Sequence, residues 1–83
     1  MSLSAIVMAA LQMFFFEPLA PENMGQWCLG RAIAVERMGL KEVDSAEERQ
    51  GCKDYFSLTG QTEEVKKVLR DLPAEVIPSV PKT

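Results

Sequence analysis

The residue pattern predicts an α+β domain, a ferredoxin-like βαββαβ two-layer sandwich with a four-stranded antiparallel sheet. Three observations lead there. An apolar run over residues 4–17 carries large side chains on both alternating faces and stops at Pro18. Val65, Val68, Leu69 and Leu72 hold the i, i+3, i+4, i+7 spacing of an amphipathic helix. Gly and Pro then divide the chain into segments in the order strand, helix, strand, strand, helix, strand. Eighty-three residues leave room for one domain, residues 1–83. A chain of that size buries only about 60% of its unfolded surface.

The first strand is placed at residues 4–17, where an uninterrupted apolar run bounded by turn residues fits a central strand buried on both sides. Ala, Met, Leu and Gln in the same run favour helix, but the triple Phe and the stop at Pro18 favour strand. Pro18 and Pro21 then open a helix, since Pro at a first helical position gives up an N–H that would be unpaired anyway. Met24, Cys28, Arg31, Val35 and Met38 share one stripe of it. Gly25 and Gly30 weaken it by about 1 kcal/mol each relative to Ala. Small residues at 25, 30, 32 and 34 let it lie close on the sheet, and Gly39 ends it in the left-handed conformation. Residues 40–45 form a short edge strand, residues 46–51 a polar loop, and residues 52–59 another strand.

Gly60 turns the chain into the second helix. Thr62 is positioned to cap it, Glu63 and Glu64 complement its dipole, and Pro73 stops it. Residues 74–80 make a last strand, with Pro78 marking an edge. Right-handed crossovers put the first and third strands in the middle of the sheet.

Hydrophobic residues are 47% of the chain and charged residues 25%, an ordinary globular balance. The net charge of −3 argues against nucleic acid or an anionic membrane as partner. The apolar run has no preceding Lys or Arg and no clean cleavage pattern, so it reads as core rather than signal peptide. It is also too short to span a bilayer, which takes about 20 residues. The expected compartment is the cytoplasm, with Cys28 and Cys52 as free thiols, because disulfide-built small domains usually carry four or more cysteines.

The chain has no histidine, and its two cysteines are far apart in sequence, so no zinc site, other metal or cofactor is expected. Cys28 has neither a histidine base nor a close cation other than Arg31, and reads as a packed hydrophobe. The carboxylate pairs Glu47-Glu48 and Glu63-Glu64 read as solvated surface. No catalytic residue is assigned. The strand–Gly–helix junction at Gly60, Gln61 and Thr62 is a candidate anion or ligand turn, because backbone N–H groups and a helix N-terminus converge there. Phe14, Phe15 and Phe16 are the candidate oligomer interface. In a two-layer sandwich one face of the first strand has no intrachain cover, so the partner expected is a second copy of the chain.

Residues 32–43, the loop at Gly51, residues 55–60 and the pair Val65-Lys66 together resemble the shell proteins of bacterial microcompartments. The similarity covers residues 32–69, under half the chain. It implies a ferredoxin-like α/β fold and assembly into a shell. Arg37 would stand where that family commonly has a lysine contacting the neighbouring hexamer. Gln50, Gly51 and Cys52 would fall near its pore loop. Two departures stand out: Pro73 cuts the second helix short, and the first strand with its Pro-rich exit matches poorly. Taken together, the expected function is that of a self-associating structural or scaffolding subunit. The alternative is a small ligand-binding or regulatory module.

Overall fold

The computed structural model describes residues 2–78, and every described element is helical. Helix α1 spans Leu3–Phe16, α2 Met24–Ala32, α3 Ala46–Leu58 and α4 Thr62–Asp71. Helix α2 runs on into a wider π turn over Ile33–Arg37. Short 3-10 turns at Pro21–Asn23, Lys41–Val43 and Ala74–Val76 join or follow the helices. The expected α+β ferredoxin-like sandwich is therefore corrected to a four-helix domain, with no strand among the described residues.

Each misplaced strand has a physical reason. The first is α1, capped by the Ser2 hydroxyl, which accepts from Ala5 N–H at 3.1 Å. Eight of its fourteen residues are Ala, Leu, Met or Gln, good helix formers. Fourteen residues also exceed the usual strand length. The loop expected at 46–51 and the strand expected at 52–59 are one helix, α3. The Ser45 hydroxyl caps it, accepting from Glu48 N–H at 3.3 Å, and Glu47 and Glu48 sit in its first turn. The edge strand of residues 40–45 is a 3-10 turn, as is the start of the last strand; residues 79 and 80 of that strand lie outside the described residues.

The two helices expected on either side of this region are present. Gly39 closes the π turn with φ +72°, and Leu40 N–H reaches back to the Ala34 carbonyl at 3.0 Å. Gly60 ends α3 with the same φ, and Gln61 N–H donates to the Phe56 carbonyl at 2.8 Å. In α4, Lys66, Lys67 and Arg70 are exposed, but of the apolar stripe only Leu72 is fully buried.

Helices α1 and α2 form an antiparallel hairpin. Its connection is held by Asn23, whose amide donates to the Pro18 carbonyl and accepts from Ala20 N–H, each at 2.9 Å. The Trp27 indole N–H donates to the Glu17 carbonyl at the end of α1 at 3.0 Å. The small residues of α2 serve this hairpin rather than a sheet. A Cβ at Gly30 would stand 2.1 Å from the Ala10 carbonyl oxygen, so only glycine allows the two backbones to come so close.

Two apolar clusters result. One joins Val7, Ala10 and Leu11 of α1 to Ile33 and Ala34 of the π turn and to Leu72 after α4. The other joins Trp27 and Cys28 of α2 to Cys52 and Phe56 of α3. Phe14 packs against both.

Cys28 and Cys52 form a disulfide, with Cα atoms 5.5 Å apart and both residues buried. This corrects the expectation of free thiols. That expectation rested on the low number of cysteines, which says nothing of their placement; on α3 Cys52 faces α2, four residues before Phe56 on the same buried side.

Candidate functional site

Two surface features have the makings of a site. The first is the outer face of α1. Ile6, Ala9 and Phe16 lie on the side away from the buried Val7, Ala10 and Leu11, while Met13, at the edge of that face, is half-buried against the Trp27 cluster. No charged residue occurs in Leu3–Phe16. Ile6, Met8 and Phe15 are exposed, and Phe16 is 80% exposed. Beside Phe16 lies an open hollow of about 400 Å³, lined by Ala9, Gln12, Met13, Phe16, Glu17 and Gln26. An aromatic projection and a hollow therefore share one face.

The three candidate interface phenylalanines separate as a helix requires, about 100° apart rather than on alternating faces. Phe14 points inward, its ring edge-on to Trp27 with centroids 4.9 Å apart. Phe15 leans on Phe14 at 5.0 Å and remains 43% exposed. Phe16 alone of the three projects fully.

The second feature is a cleft of about 380 Å³ between α2, α3 and α4. Arg31 lies at its floor with a side chain only 8% exposed. Asp44 is shared by two guanidinium groups, Arg31 at 3.3 Å and Arg49 at 2.8 Å. Among the described residues Arg31 Nε has no hydrogen-bond partner. Lys53 and Lys66 also line the cleft, and Glu36 is its other carboxylate. Val35, Phe56, Val65 and Leu69 form its apolar walls.

Of the candidate anion turn, the Gly60 and Gln61 N–H groups donate to the carbonyls of Ser57 and Phe56, which closes α3. Gln61 is the N-cap residue of α4 without a side-chain cap bond, and its side chain accepts from the Thr59 hydroxyl at 2.9 Å. Thr62 lines the basic cleft. Sequence reasoning missed that cleft, because Arg31, Arg49, Lys53 and Lys66 are scattered along the chain. The spacing of Arg49 and Lys53, one helical turn apart, was the available signal once α3 is read as helix.

Arg37, which the shell-protein resemblance would place at a hexamer contact, donates its guanidinium N–H groups to the carbonyls of Leu69 and Leu72 within the same chain. Gly51 lies inside α3 rather than in a loop. The disulfide leaves neither cysteine as a free nucleophile. No helix of the described residues is long and apolar enough to cross a membrane. No family model matches the chain, and no curated protein or solved structure is significantly similar to it, so the shell-protein resemblance rests on the quoted residues alone.

Proposed function

We propose that this chain is a non-catalytic interaction module that self-associates through the outer face of α1. The observation that carries the reading is the apolar surface of that helix, free of charge from Leu3 to Phe16, with Phe16 80% exposed at the wall of a hollow that Gln12, Glu17 and Gln26 border. Monomers seldom leave contiguous apolar patches beyond a few hundred Å² uncovered. A projection and a hollow on one face are self-complementary, the condition for a two-fold pair in which each copy offers the same patch. The absence of charge along the helix favours a second copy over an acidic or basic partner. Ala5 and Ala9 let two such helices approach closely.

The disulfide supports an oxidising working compartment over the cytoplasm expected from the cysteine count. Such bonds form and persist in secreted, periplasmic or lumenal surroundings.

Sedimentation velocity between 1 and 200 µM tests self-association. The native chain should shift from monomer toward dimer across that range. Phe16→Ser should hold it monomeric with little change in melting temperature, because the ring is outside the core. A native chain that stays monomeric at 200 µM refutes the reading.

A further inference from the structure

We propose that the cleft between α2, α3 and α4 binds a small organic anion, with its acidic head among Arg31, Arg49, Lys53 and Lys66 and its apolar body against Val65 and Leu69. The charge balance is the first argument. The chain carries a net −3, yet this cleft gathers four cations against two carboxylates, Glu36 and Asp44. A concave surface of one sign focuses the field on what enters it.

Arg31 is the second argument. A buried guanidinium ordinarily has its N–H groups paired. Here one carboxylate, Asp44, is divided between Arg31 and Arg49, and Arg31 Nε is unpartnered among the described residues. The pairing inside the chain leaves positive charge uncompensated where an oxyanion would compensate it. Guanidinium groups suit carboxylate or phosphate oxygens because their donors form a planar fork.

The walls supply the third argument. A cleft of about 380 Å³ lies within the range of small-molecule sites, roughly 300–1,000 Å³. Half of its border is apolar, and the first turn of α4, at Thr62, brings the positive end of that helix to its rim. A bare inorganic ion would leave the apolar half unused, and a neutral apolar molecule the basic half.

Isothermal titration calorimetry with octanoate, octanol and inorganic phosphate separates the alternatives. Octanoate should bind with at least tenfold higher affinity than either of the others and should weaken as NaCl rises from 50 to 500 mM. Lys66→Gln, an exposed position that leaves the core untouched, should weaken octanoate at least threefold. Arg31→Met should weaken it at least tenfold where circular dichroism shows the variant folded. Phe16→Ser should bind octanoate like the native chain, which keeps this outcome separate from that of self-association. Equal binding of octanol overturns the role of the cations, and equal binding of phosphate overturns the role of the apolar walls. Absence of octanoate binding, or binding unchanged in Lys66→Gln at both salt concentrations, overturns the site.

Discussion

Replacing Gly30 by alanine sets two effects of opposite sign against each other. Helix propensity alone would favour Ala by about 1 kcal/mol. In the folded hairpin, however, the new Cβ would stand 2.1 Å from the Ala10 carbonyl oxygen, 2.7 Å from its carbonyl carbon and 2.9 Å from Phe14 Cβ. The first two are backbone atoms of α1 and cannot turn aside. The helices would have to separate by about 0.9 Å merely to reach 3.0 Å, the shortest distance real Cβ atoms keep. That separation would loosen Val7, Ala10 and Leu11 against Ile33 and Ala34. Overpacking of this kind costs about 1–3 kcal/mol, sometimes more, so steric strain outweighs propensity. Gly51→Ala supplies the control. Gly51 is inside α3, has nothing within 4 Å of its Cβ position and no positive φ, so alanine there should add about 0.5–1 kcal/mol. For a domain of this size 1 kcal/mol moves the melting temperature by roughly 4–8 °C. Thermal unfolding followed at 222 nm should show Gly30→Ala melting well below the native chain and Gly51→Ala a few degrees above it. Equal stabilisation by both would mean that the hairpin is not packed this closely.

Other expectations follow from the same packing. Alkylation and mass spectrometry without reductant should label neither cysteine. Cys28→Ser with Cys52→Ser should lower stability by about 3.5 kcal/mol, the loop-closure value for a separation of 24 residues; labelling of both thiols in the native chain would refute the bridge. Arg37→Met removes the charged donor from the carbonyls at the end of α4 and should cost about 1.5–3 kcal/mol. Amide exchange should accelerate in α4 while α3 keeps its protection. Leu72→Ala should cost about 2–5 kcal/mol, and the half-buried Leu69 less, read by urea unfolding. The Arg70 hydrogen bond holds the Asp71 carboxyl below its ordinary range, so any stabilisation by this group is present at neutral pH and lost as pH falls through that lowered value. Because both side chains are exposed, Asp71→Asn should leave the neutral-pH melting curve unchanged.

The helices flanked by Pro and Gly were legible because local rules decide them: proline at an entry, a positive φ at an exit, charges matched to the dipole. Helix α1 was not, because it is apolar on both its inner and outer faces and so shows neither a helical nor a strand period. Its length and the cap at Ser2 were the better guides. Gly51 breaks the pattern of α3 in the sequence, although Ser45-Ala46-Glu47-Glu48 carries the capping-box pattern at its start. Cys52, Tyr55 and Phe56 follow at i, i+3 and i+4. A helix that buries only two residues, Cys52 and Phe56, leaves a faint stripe. The bridge was hidden for the same reason, since pairing depends on which side of α3 meets α2. The basic cleft needs three helices placed together before its charges can be counted.

The π turn at Ile33–Arg37 takes up a residue that a regular helix would pass on to everything after it. Met38 N–H bonds to the carbonyl five residues back, at Ile33, so this turn holds one residue more than a regular α turn. In a ladder that stays regular, an added residue advances all that follows by about 100° around the helix axis. The wider turn absorbs it instead, so Arg37 still meets the end of α4, and Leu40 and Val43 the cluster they border. Removing one residue here lets the turn close as a regular α turn with that phase kept, whereas a second added residue would find no such slack.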